Sequence, residues 1–243
     1  MTILAETPQW IAINKPAGLV VERDKYGYPS AEEEVRAYLR KQNKREPFVG
    51  IVHRLDRPVS GVLLLAKKKS ALKQLNEQFR LRQVQKVYWA VVENRPPGDQ
   101  GLLEGWIQKD VMGKKAVYSK EAVKGALPCS LSYKLLAEAE GRYLLEIIPH
   151  TGKFHQIRVQ LAAIGCPIIG DQAYGSTVEY ASNAIALHAR VLSFSEIEMS
   201  PALVPRADDT SLPNPKSQIR YPKSISAPLP DLPIWHFENI EKI

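Results

Sequence analysis

Cysteine is nearly absent. Cys129 and Cys166, the only two in 243 residues, lie far apart, and neither has a second thiol or a histidine nearby in sequence. That excludes a disulfide framework and gives no ligand spacing for zinc. A reducing compartment suits such a chain, and the cytoplasm is the expected location. A long apolar run is also missing. The opening MTILAETPQWIAINKP has neither a basic leader nor enough consecutive apolar residues for a signal peptide or a span, so no membrane association is expected. There is no internal repeat and no glycine-rich phosphate loop.

What is present begins with positive charge. Thirty-three Lys and Arg outweigh twenty-six Asp and Glu, for a net charge of +7 and a pI near 9.3. Such a balance favours polyanions through phosphate contacts and counterion release. Basic residues cluster from Arg36 to Arg45 and at Lys67, Lys68, Lys69 and Lys73, although runs of this kind are commonly solvated faces.

Periodicity predicts a short strand over Trp10 to Asn14, broken by Lys15, Pro16 and Gly18. Ser30 and Glu33 form a capping-box pair for a helix with Val35, Tyr38 and Leu39 on its apolar face. The run Val62 to Ala66 is apolar on both faces, as in a strand inside a covered sheet. Ser70 is placed to cap a following helix with Leu72, Leu75 and Phe79 at helical spacing. Lys86 to Val92 and Tyr143 to Ile148 read as strands separated by a variable middle region. A last helix covers about His155 to Ile164, with Ile157, Leu161 and Ile164 on one face, Arg158 at the flank of that stripe, and Gly165 placed to end it. Interspersed elements without a βαβ repeat predict an α+β fold around a mixed, largely antiparallel sheet. Met199 to Pro233 holds eight prolines and is expected to be an extended surface segment, partly disordered or draped over the body. The stretch Leu232 to Phe237, with Trp235, is placed to dock back.

Three segments carry chemistry. In His53-Arg54-Leu55-Asp56-Arg57-Pro58-Val59-Ser60-Gly61 one carboxylate stands between two arginines just before the core strand. Neighbouring positive charge favours the ionised form of such a group, which suits either a structural ion pair or a catalytic carboxylate. Thr151-Gly152-Lys153-Phe154-His155-Gln156-Ile157-Arg158 is a turn feeding a helix. Its free N–H groups and positive dipole end suit an anion, while His155 and Gln156 equally suit capping. In Lys86-Val87-Tyr88-Trp89-Ala90, Lys86, Tyr88 and Ala90 share one strand face, and Val87, Trp89 and Val91 form the face expected in the core. The first face offers an aromatic platform and a hydroxyl to a flipped base, or simply an amphipathic core edge.

The strings HRLDRPVSG and TGKFHQIRVQLAAIGCPIIGDQAYG, with NKPAGLVV before them, QKVYWAVV between, and Ala186-Leu187-His188-Ala189 after, resemble the RluA-type RNA pseudouridine synthases in identity, order and spacing. The resemblance runs from about Trp10 to Phe194. It implies the pseudouridine synthase fold and an isomerase that converts uridine in ribosomal or transfer RNA to pseudouridine without cofactor or metal. By resemblance Asp56 is the catalytic aspartate, as nucleophile or as base, Tyr88 the aromatic residue against the base, and Arg158 the partner of the aspartate. Arg54 resembles the arginine that enters the space left by the flipped nucleotide. His53, Lys86, Thr151, Gly152, Lys153, His155 and Gln156 are the expected substrate-binding residues. The first motif begins by about residue 10, which predicts one catalytic domain over 1–243, acting as a monomer, with no S4-type domain before it. Three positions depart from the pattern: Pro58-Val59 replaces an acidic or polar residue and threonine, Lys153 replaces arginine, and Phe154 replaces a small or polar residue. A glycosylase that releases the base is disfavoured by the motifs. A degenerate RNA-binding module that keeps fold and charge without turnover is the alternative.

Overall fold

The computed structural model describes residues 1–23, 27–42, 46–110, 112–197, 223–238 and 240. Its elements in chain order are β1 (Thr2–Glu6), β2 (Trp10–Lys15), α1 (Ala31–Gln42), β3 (Gly50–Ile51), β4 (Ser60–Ala66), α2 (Lys69–Arg80), β5 (Gln85–Val92), β6 (Gln100–Asp110), β7 (Lys115–Ser119), β8 (Leu127–Ala139), β9 (Arg142–Pro149), α3 (Gln156–Ala163), β10 (Leu187–Phe194) and β11 (Lys223–Ser226). The strands join in one sheet of order β1-β2-β4-β10-β5-β9-β8-β6-β7, with β3 added to β4 and β11 to β10. The β4–β10 ladder is parallel and the other strand pairings are antiparallel. The fold is therefore α+β, as the pattern predicted.

Alternation along β2 and β4 feeds a core on each face of the sheet. Ile11, Ile13, Leu63 and Leu65 pack with Val35 and Leu39 of α1 and with Ile157 and Leu161 of α3. Trp10, Ala12, Val62 and Leu64 pack with Leu75 of α2 and with Phe194. Leu63, Leu64 and Leu65 are fully buried, each stabilising the fold by about 1.5–3 kcal/mol. Gly61 lets β4 reach β10. Its φ is +114°, and a Cβ there would stand 2.3 Å from the carbonyl oxygen of Ala189, so no side chain fits.

Ser30 caps α1 by accepting the N–H of Glu33, and its hydroxyl donates to the Glu33 carboxylate, so the box closes on the hydroxyl. Ser70 does not cap α2. Lys68 holds that position without a side-chain bond, and the helix starts two residues earlier than the serine would set it. Both faces of β5 are buried at Trp89 to Val92, within the main core cluster, while β10 and β9 pair with its two edges.

The variable middle region is two long strands, β6 and β8, with the short β7 between them in sequence. Gly101 and Gly105 break their apolar pattern, yet each lies beneath a tyrosine ring. Added Cβ atoms would meet Tyr133 at 2.6 Å and Tyr118 at 2.5 Å. Of the proline-rich segment, 199–222 lies outside the described residues. Lys223–Ser226 is a strand on β10 rather than a surface loop, since its backbone fills the ladder along that edge. Trp235 docks as expected, 2 % exposed, with its Nε1–H donated to the Tyr180 hydroxyl at 2.8 Å.

Candidate active site

The loop from Val52 to Val59 joins β3 to β4 at the point where β4 meets β10. Leu55 and Val59 are buried and anchor it. Backbone bonds fix its path. The Val59 N–H donates to the Asp56 carbonyl, the Gly18 N–H to the Arg57 carbonyl and the Ile185 N–H to the Pro58 carbonyl. Lys15 supports the same loop from below. It is fully buried, and its Nζ donates to the carbonyls of Pro16, Leu19 and Arg57 at 2.9, 2.8 and 3.2 Å. Those three acceptors match the three N–H groups of an ammonium. Burial pulls the lysine down to about 7, opposed by the charge of Asp56.

Asp56 thus projects from a rigid loop, with its side chain 28 % exposed. Its Oδ2 lies 3.3 Å from Nη1 of Arg158 and 3.7 Å from Nε2 of His155. Arg158 comes from the first turn of α3 and is buried. Its Nε and Nη2 donate to both oxygens of Asp171 at 2.7 and 2.8 Å, a bidentate grip that fixes the plane of the guanidinium. Burial opposes its charge, and the Asp171 and Asp56 carboxylates outweigh that, holding the guanidinium above its ordinary value. The Tyr174 ring lies 5.0 Å from it.

The turn before α3 is tied to β8. Gln156 is buried. Its Nε2 donates to the Ser130 carbonyl, and its Oε1 accepts from the Thr151 hydroxyl and the Lys153 N–H. Thr151 also accepts the Ser130 N–H. These two residues therefore hold the turn in place. His155 sits at the N-cap of α3 with φ +52° and no side-chain cap bond. This left-handed turn points its ring toward Asp56 instead of the helix. Its Nδ1 lies 2.9 Å from the Tyr174 hydroxyl, and that hydroxyl accepts the Ala116 N–H at 2.7 Å. The hydroxyl can give its proton to Nδ1, an arrangement that puts the imidazole proton on Nε2, facing Asp56. Burial lowers the histidine's pKa, with Asp56 acting against it.

Tyr88 stands on β5, opposite Ile147 of β9 and Ala189 of β10. Burial raises its phenol above the usual range, and the Asp56 charge adds to the rise. Lys86 is half-buried, its ammonium lowered by burial. A Cβ on Gly152 would meet its Nζ at 3.4 Å, so Gly152 and Lys86 face each other. His53 is turned away from this group. Its Nε2 accepts the Leu64 N–H at 3.0 Å and its ring stacks on Phe79. Burial lowers it to about 3, and Lys86 adds to that. Arg54 is exposed and paired with Glu22 at 2.6 Å.

Asp56, Tyr88, Arg158 and His155 thus converge, with Lys86 and Gly152 paired beside them, while Thr151 and Gln156 act on the backbone. Asp171, Tyr174 and Lys15 are the neighbours that sequence reasoning did not single out. Asp171 lies in the string GDQAYG and Lys15 in NKP. Of the basic runs, Arg36 and Arg40 pair with Glu32 and Glu46, and Lys67 with Glu6; Arg45 lies outside the described residues. Among the described residues no three His, Cys, Asp or Glu side chains are grouped to hold a metal ion, and no helix is long and apolar enough to cross a membrane.

The family model described as RNA pseudouridylate synthase matches residues 9–163, a span holding Asp56, Tyr88 and Arg158. A protein of Zymomonas mobilis named as an uncharacterized RNA pseudouridine synthase is 37% identical over 78% of this chain and 85% of its own length. Ribosomal large subunit pseudouridine synthase C of Rickettsia bellii is 35% identical over 72% of this chain. The tRNA pseudouridine synthase C of Pectobacterium carotovorum is 35% identical over 72% of it. The chain spans 56% and 48% of the length of those last two. The structure of human RNA pseudouridylate synthase domain containing 4 superposes with a TM-score of 0.69 and 26% identity, covering 95% of this chain and 89% of that one. The family match over residues 9–163, which takes in the loop, β5 and α3, joined to the Zymomonas relative and the shared fold, places this chain in the RNA pseudouridine synthase family.

Proposed function

We propose that this chain isomerises uridine in structured RNA to pseudouridine, with Asp56 as the group that attacks the sugar or removes a ribose proton. The observation that carries this reading is the setting of Asp56: partly open to solvent, on an immobilised loop, with Arg158 held beside it by a separate buried carboxylate. The bond from uracil N1 to ribose C1′ breaks, the base turns, and C5 bonds to C1′. The C5 hydrogen leaves as a proton and N1 ends protonated, so the reaction has no net redox change. No cofactor is required for it.

The uridine must first leave its stack, which costs on the order of a few kcal/mol. Tyr88 receives the base, and Arg54 fills the vacated space after letting go of Glu22. Arg158 orients Asp56 and disperses its charge, at some expense in nucleophilicity. Lys86, Gly152 and Lys153 line the approach to the RNA backbone, and His155 presents its Nε2–H beside the carboxylate. Asp56, Tyr88 and Arg158 all belong to one chain, so a monomer suffices, working in the cytoplasm. The names of the relatives make ribosomal and transfer RNA the two substrate classes to test. Pseudouridine mapping of total RNA with and without the gene decides between them: one lost site names the substrate, and an unchanged map counts against the activity.

A further inference from the structure

Outward from Asp56, the rings of His155 and Phe154 are stacked, centroids 3.7 Å apart and planes 20° from parallel. His155 is held at its ring edge by the Tyr174 hydroxyl, so Phe154 rests flat on an anchored ring. Phe154 is nevertheless 39 % exposed. Lys109, at the end of β6, places its Nζ 4.8 Å from the centre of the Phe154 ring. An exposed phenylalanine next to a reactive carboxylate, supported by one ring and topped by a movable cation, has the two elements that recognise an unpaired nucleotide. It offers a π-face for any base and a positive charge for its phosphate.

We propose that Phe154 and Lys109 form a subsite for the nucleotide adjacent to the target uridine. The base of that nucleotide stacks on Phe154, and Lys109 swings from the ring to the phosphate. One contact, the cation on the ring, is exchanged for two. The site reads no base edge, so it is tolerant of base identity and intolerant of base absence. This inference rests on RNA being the substrate and extends that reading to a second nucleotide.

The test uses a stem–loop RNA with a seven-nucleotide loop and a single central uridine. Versions carry an abasic residue or 2-aminopurine on the 5′ or the 3′ side of it. Affinity is measured in the Asp56→Asn background, with and without Phe154→Ala, Phe154→Trp or Lys109→Gln. Phe154→Ala is expected to weaken binding about tenfold or more, at unchanged melting temperature, and Phe154→Trp to restore it. The abasic residue should weaken binding on one side only, and Phe154→Ala should not add to that loss. Quenching of 2-aminopurine on the same side should vanish with Phe154→Ala, and Lys109→Gln should lower the salt slope by about one. Equal affinity with and without the Phe154 ring, or full additivity of abasic residue and Phe154→Ala on both sides, overturns the subsite. Phe154-dependent binding by a wild-type protein that forms no pseudouridine in any cellular RNA would leave the subsite standing and remove the catalytic reading.

Discussion

Asp56 and Asp171 share one guanidinium and are treated in opposite ways. Asp171 is 1% exposed, and both its oxygens accept short bonds from Arg158. Its backbone carbonyl also accepts the N–H groups of Tyr174 and Ser176, so the turn around it is closed. Asp56 keeps 28% of its side-chain surface exposed and meets the same arginine through one oxygen at 3.3 Å. A carboxylate gripped on both oxygens is spent on structure. One that is touched at a single oxygen keeps charge to offer a substrate. The contrast teaches that the arginine is positioned from behind, so that it can lean on Asp56 without sealing it.

The strongest way to break that contrast is to remove each carboxylate in turn. Asp171→Asn leaves Arg158 buried without its bidentate partner and should cost about 3–5 kcal/mol of stability. Asp56→Asn should leave the melting temperature within a few degrees of the parent. Matching thermal melts for the two variants would end the distinction.

Sealed and open groups should also part in acid. Burial depresses His188 to about 4, against a weak bond to the Ala227 carbonyl, and its Nδ1 is paired with the Ser60 hydroxyl. The unfolded chain therefore takes up this proton first. Stability present above pH 6.5 is lost as the pH falls toward 4, by about 3 kcal/mol from this group. His53, depressed to about 3, acts in the same direction. Urea melts across that range should slope accordingly, and more gently in His188→Gln. A parallel slope in the variant would assign the acid loss elsewhere.

The smallest effect should come at Tyr88. In the proposed reaction its ring faces the base, and burial together with Asp56 favours the protonated phenol, so Tyr88→Phe should slow turnover about ten- to a hundredfold with RNA affinity unchanged. Undiminished turnover would remove the hydroxyl from the chemistry, and a large loss of affinity would give Tyr88 a binding role instead.

Much of this site was legible because its members sit in compact strings. Asp56 lies between two arginines before an unbroken apolar strand, and Arg158 lies on a helix that Gly165 ends. Asp171 was not singled out, because it reaches Arg158 only after the chain leaves α3 and returns through a turn. No local pattern encodes that. His53 lies in the same loop as Asp56, yet its ring completes the β4 backbone and stacks on Phe79. The strands β6 to β8 were hidden for a different reason. Gly101 and Gly105 interrupt the alternation, and tyrosine rings from the neighbouring strands cover the gap. The strand Lys223–Ser226 was masked by surrounding prolines, which describe the composition of the segment and not the ladder position open beside β10.

Asp56 as the reacting carboxylate is tested most directly by hydrogen release from uracil C5. RNA carrying tritium at C5 of uridine should release it with the wild-type protein, because that hydrogen leaves when the new bond forms. Asp56→Asn keeps the shape of the side chain and loses its charge, so release should fall on the order of 10³-fold or more. Phosphate contacts, not one carboxylate, should leave RNA affinity intact. No release from the variant, at matched melting temperature and matched affinity, is the predicted result; tritium release from Asp56→Asn at the wild-type rate would contradict it.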